Sequence, residues 1–194
     1  MVTRVSYAIA AAVVAVAAIA VSAQQTAKPA AGAMRGMKPM SDQEILKLAA
    51  SAGPADISAN ATIVDHGADG KPRTLRTGTN GWVCMAHPEV MCLDKQWQEW
   101  ADAWMNKRNP KVTAVGIGYM LQGDTGASNT DPFATAPTAT NQWVASPAHI
   151  MVLTPDVKQL DALPTSPTNG GPFVMWKGTP YAHIMVPTAP MPKK

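Results

Sequence analysis

Two five-residue segments of the 194-residue chain carry the side chains best suited to chemistry. Ala148-His149-Ile150-Met151-Val152 recurs as Ala182-His183-Ile184-Met185-Val186. Extended backbone alternates its side chains between two faces, so each copy puts His and Met on one face and Ile and Val on the other. Neighbouring strands in register would gather His149, Met151, His183 and Met185 into one patch. Imidazole with thioether is a soft donor set that suits copper, Cu(I) above all. Met34, Met37 and Met40 add thioethers at three-residue spacing. The same residues also fit a plainer role, because methionine fills gaps in cores and a strand histidine commonly hydrogen-bonds.

Residues 122–142 form a polar stretch rich in Gly, Ser, Asn, Thr and Pro. Loops of this length are uncommon in compact domains and tend to carry function or to be disordered. This one is the expected binding face, with Asp124, Ser128, Asn129 and Asp131 as ligand contacts. Trp143 and Trp176, beside Gly- or Pro-rich segments, are assigned to the same face as aromatic platforms; Trp82 is a third tryptophan outside the main helix, and for each a core position is the more common role.

Asp124-Thr125-Gly126-Ala127-Ser128-Asn129 resembles the active-site motif of the aspartic peptidases, in which the Asp activates water beside a second Asp that shares its proton. The resemblance covers these six residues. Gln122-Gly123 stand where that family has apolar residues, Asp131-Pro132 where it continues into a strand, and no second motif is present. Only a homodimer could then assemble the pair of aspartates; a turn capped by Asx side chains is the structural alternative. No G-x-S-x-G, H-E-x-x-H, P-loop or G-x-G-x-x-G pattern occurs. Ser128 with His149 or His183 and an Asp is a triad that sequence leaves open. His66 and His87 sit among turn residues and are expected at the surface.

The ends of the chain indicate where it works. Arg4 followed by the apolar run 8–21 and Val21-Ser22-Ala23 predicts a signal peptide over residues 1–23. The run is too short for a spanning helix, so no membrane span is expected after cleavage. Residues 24–40 lack aromatic and β-branched aliphatic residues, which predicts a disordered basic linker, and 188–194 a short C-terminal tail. The formal charge of +3 belongs to these ends, because residues 41–190 hold 10 basic and 13 acidic side chains. That balance argues against a nucleic-acid partner. Cys84 and Cys92 are the only cysteines, and in an oxidising compartment they are expected to form a disulfide.

Residues 41–187 read as a single α+β domain. Ser41-Asp42-Gln43-Glu44 is a capping-box pattern opening a short helix that Gly53-Pro54 ends. Residues 61–65 and 73–77 suit a hairpin. Leu93, Trp97, Trp100 and Trp104 form one stripe of a helix over 93–108. Strands are expected over 111–121, where Gly116 and Gly118 permit a close approach by that helix, and over 143–153. A short helix at 156–163 precedes a closing hairpin, 173–177 with 181–186. An antiparallel sheet packed on the Trp-rich helix is the expected architecture.

Together these features point to an exported, periplasmic or secreted, non-enzymatic domain that binds a small molecule or an envelope protein and needs no cofactor. The alternative is a periplasmic copper-binding protein using the two His-x-Met strands. A small secreted hydrolase or peptidase is the third reading.

Overall fold

The computed structural model describes residues 40–66, 71–167 and 170–191. The expected signal peptide, Met34 and Met37, and the last three residues lie outside them.

Helix α1, Asp42–Ala50, opens on the expected reciprocal cap. The Ser41 hydroxyl accepts from the Glu44 N–H, while the Glu44 carboxylate accepts from the Ser41 N–H at 2.7 Å. A single further turn, α2 at Ala55–Ser58, starts directly after Pro54. Strands β1 (Thr62–His66) and β2 (Pro72–Arg76) then pair antiparallel, with a bulge between Ile63 and Val64. Strand β3, Val83–Met85, lies on the other side of β1 and runs parallel to it. Gly78 allows this crossing, because a Cβ there would collide with the Ala61–Thr62 backbone.

Strand β4, Met91–Leu93, folds straight back on β3, setting Cys84 opposite Cys92 and Met85 opposite Met91. The disulfide therefore ties two adjacent strands. Leu93, expected to start the helix, ends a strand instead. Asp94 caps the helix after it by accepting the Trp97 N–H at 2.9 Å, so α3 spans Lys95–Met105.

The remaining strands are β5 (Gly116–Met120), β6 (Ala127–Ser128), β7 (Trp143–Val144), β8 (His149–Leu153), β9 (Phe173–Met175) and β10 (His183–Pro187). A 3-10 turn over Val157–Leu160 stands where a short helix is expected. β6 and β7 make a small ribbon of their own; the other eight form one sheet in the order β2-β1-β3-β4-β5-β8-β10-β9. Every described pair except β1–β3 is antiparallel. The domain is thus α+β, an antiparallel-dominated sheet with a Trp-rich helix on it.

That helix lies on the face carrying Leu93, Met120, Met151 and Met185, with Trp97 and Trp100 buried against them. The small residues of β5 let it sit low. A Cβ on Gly116 would stand 2.8 Å from Gln96 Cβ, and one on Gly118 2.9 Å from Met151 Cε and 3.3 Å from Trp97 Nε1. The indole N–H of Trp97 donates to the Met151 carbonyl at 3.2 Å. On the opposite face α1 buries Ile45 and Ala49 against Ile63 and the disulfide.

Because both sulfurs are buried and the link closes a nine-residue loop, chain entropy assigns it roughly 2.6 kcal/mol. Urea denaturation of Cys84→Ala/Cys92→Ala is expected to show a loss of that order. A change below about 0.5 kcal/mol would mean that the hairpin is held entirely by its packing.

Candidate functional site

The two His-x-Met segments are neighbours in the sheet. β8 and β10 run antiparallel with Met151 opposite Met185, Ile150 opposite Val186 and His149 opposite Pro187. His149, Met151, His183 and Met185 all point to the buried face under α3, while the Ile and Val residues are half-buried on the other side. Antiparallel pairing places the two methionines side by side and the two histidines beyond them at opposite ends. Along the strands their Cα atoms are four residues apart, about 13 Å.

Each histidine is fixed in the same way by the chain just before it. His149 Nδ1 lies 2.7 Å from the Pro147 carbonyl and His183 Nδ1 3.0 Å from the Tyr181 carbonyl. A carbonyl can only accept, so Nδ1 carries the hydrogen and Nε2 presents its lone pair. From there the two differ. The His183 ring is enclosed by tryptophans, edge-on to Trp97, Trp100 and Trp176 at centroid distances of 5.2, 5.5 and 5.1 Å. Burial lowers its pKa to about 4, against the opposing pull of the Tyr181 carbonyl, and the charge of a protonated His149 acts in the same direction as burial.

His149 is also fully buried, yet no indole surrounds it and its Nε2 has no hydrogen-bond partner. Burial lowers its pKa as well, with the Pro147 carbonyl and the charge of Asp124 acting in the other direction. Directly across the sheet stands Met120. Continuing the β4–β5 register by one residue puts Met91 opposite Met120, and Met85 is opposite Met91. Four adjacent strands thus present the row Met85, Met91, Met120, His149. Among the described residues no group of three His, Cys, Asp or Glu is placed to hold a metal ion, so donors of that kind would have to be joined by thioethers.

The polar loop is largely occupied with holding itself. The Ser128 hydroxyl donates to the Asn141 carbonyl at 2.8 Å and accepts from the Thr130 and Asp131 N–H groups. Asn129 Nδ2 donates to the Thr165 carbonyl at 2.7 Å, and the Asp131 carboxylate accepts from the Phe133 N–H. Trp143 lies against Gly126, where a Cβ would collide with the indole and where φ of 114° is a conformation that favours glycine. Trp176 is a buried bulky residue at φ 58°, a strained backbone conformation. Its indole N–H donates to the Ser128 carbonyl at 2.6 Å and its backbone N–H to the Asn129 carbonyl at 3.0 Å. The structure therefore brings Ser128, Asn129 and Trp176 together, as a clasp between the loop and β9.

Asp124 accepts from the Ser146 N–H at 2.8 Å. Glu89, the acid nearest in this corner, accepts from the Thr125 hydroxyl at 3.0 Å; burial raises its pKa and the Asp124 charge adds to that. No hydrogen bond joins these two carboxylates within the chain. Nor is His149 or His183 oriented by an acid through Nδ1, as a serine triad requires. His87 instead bonds the buried carboxylate of Asp65 at 2.8 Å, which Arg73 also holds.

No protein-family model, curated protein or solved structure matches the chain. Its own side chains have to assign its chemistry. Met91 and Met120 do not stand out in the sequence, although one signal for Met91 exists. Cys84-Met85 and Met91-Cys92 read as mirror images, so a disulfide between strands forces the two methionines to face each other.

Proposed function

We propose that this is an exported, non-enzymatic binding domain whose ligand is a soft monovalent metal ion, Cu(I). One observation carries the reading: the buried His149 Nε2, its tautomer set by Pro147, points its lone pair at no hydrogen-bond donor and stands in a row of methionines. A buried acceptor left unpartnered costs about 1–3 kcal/mol, which a bound ion would recover. Imidazole and thioether are the donors that Cu(I) prefers. The disulfide, the predicted leader and the absence of a free cysteine among the described residues suit an oxidising compartment.

Anaerobic titration of the exported protein with Cu(I) against a chromogenic chelator tests this. The expected result is one equivalent bound with a dissociation constant well below about 1 μM. The stoichiometry should survive Met34→Leu, Met37→Leu and Met40→Leu together. Affinity weaker than micromolar, or loss of binding in that triple variant, would overturn the assignment to the folded domain.

A further inference from the structure

We propose that the ion is held by His149, Met120 and Met91, and not by the paired His-x-Met repeats. This rests on the Cu(I) reading and names its ligands. In the sheet Met120 is the middle member, with His149 one strand away on β8 and Met91 one strand away on β4. Adjacent strands are about 5 Å apart. An ion above Met120 is therefore within reach of a side chain from each side, since metal–ligand bonds are only about 2 Å. Pairing also guarantees that the three side chains share a face.

The repeats offer no such convergence. An ion centred on the Met151–Met185 pair would need each imidazole to reach along its strand by two residues, about 7 Å. Trp97 closes that ground, because its indole donates to the Met151 carbonyl and its ring meets His183. His183 is thereby a core residue, packed among tryptophans, whereas His149 is the imidazole with a free donor atom.

The donor set also dictates which ion enters. One neutral imidazole and two thioethers contribute no charge, so the ion brings its full charge into a buried position. The cost of burying an ion rises with the square of its charge, making a divalent ion about four times as expensive as a monovalent one. The row accordingly selects Cu(I), or Ag(I) as its inert stand-in, over Zn(II) and Cu(II).

Leucine matches methionine in volume while removing sulfur, so paired leucine variants keep the fold. Met91→Leu/Met120→Leu should weaken Cu(I) binding at least about 100-fold, whereas Met151→Leu/Met185→Leu should change it less than about threefold. Near-UV circular dichroism of each variant confirms that the tryptophan environment is intact. X-ray absorption of the loaded unaltered protein should count two sulfurs and one imidazole nitrogen around copper, and Zn(II) in tenfold excess should not displace it. Binding that survives Met91→Leu/Met120→Leu, or falls instead with Met151→Leu/Met185→Leu, overturns this ligand set and leaves the Cu(I) reading standing. Failure of the unaltered protein to bind Cu(I) overturns both.

Discussion

Replacing Trp100 by alanine is expected to destabilise the domain by about 3–5 kcal/mol, more than any other single aromatic truncation. Trp100 is the hub of the core. Its ring stacks on Trp176 at 5.6 Å and on Trp104 at 6.4 Å, and meets Trp97, Tyr181 and His183 at angles. Each such aromatic pair contributes about 0.5–1.5 kcal/mol beyond the area it buries. Only 6% of the residue is exposed, so truncation leaves a cavity that the sheet beneath cannot close. The indole N–H of Trp100 is buried without a partner, a penalty that the change also removes. Trp100→Phe keeps a ring and loses that donor, so its cost should fall well short of the alanine variant's. Urea denaturation measures both. Trp82, which touches only Tyr119 among the aromatic rings, is the comparison; equal losses at 82 and 100 would refute the central place given to Trp100.

The second large effect is acid sensitivity. His183 is completely buried and its folded-state pKa is about 4, while an unfolded histidine titrates near 6.5. The depressed value means that the unfolded chain takes up the proton first. His183 therefore contributes its full stabilisation above pH 6.5, and this is lost as pH falls to 4. The difference of about 2.5 units amounts to roughly 3 kcal/mol, at a slope approaching 1.4 kcal/mol per pH unit. Burial lowers His149 in the same direction and steepens the fall. Asp65 and Glu99 have lowered pKa values, Glu99 to about 2 through Arg108, and act at more acid pH. Stability curves for the unaltered protein and His183→Gln between pH 7 and 4 separate these contributions. The variant should lose about one proton's worth of slope; identical slopes would remove His183 from the account.

Local signals in the sequence were sufficient wherever structure is decided within a few residues. Ser41 with Glu44 determined the first cap, the tryptophan spacing determined which face of α3 is buried, and the spaced glycines of β5 anticipated the helix lying on it. Features decided by pairing between distant segments could not be seen that way. Nothing local says that β3 should pass to the far side of β1 and run parallel there. Nor can alternation alone choose between registers, yet register sets Met151 beside Met185 and His149 beside Met120. Leu93 fits the helical stripe by period, but Asp94 is the better cap and begins the helix later. The polar loop was ambiguous for a different reason. Ser128, Asn129 and Asp131 have the side chains of a binding site, and the same hydrogen-bonding capacity lets them satisfy a turn.

The strand order has a consequence for the behaviour of the protein at high concentration. A sheet of eight strands ends in two edges, and an open edge is a template on which another chain can add. Here one edge is β2, whose exposed half begins with Pro72, which has no N–H, and continues into Arg73. The other is β9, three residues long and buried throughout, with the Val174 N–H already given to the Pro164 carbonyl at 2.8 Å. A charged, proline-led edge at one end and a short, covered one at the other protect the sheet from edge-to-edge polymerisation. Resistance to edge-to-edge addition in this fold thus rests on the make-up of its two outermost strands.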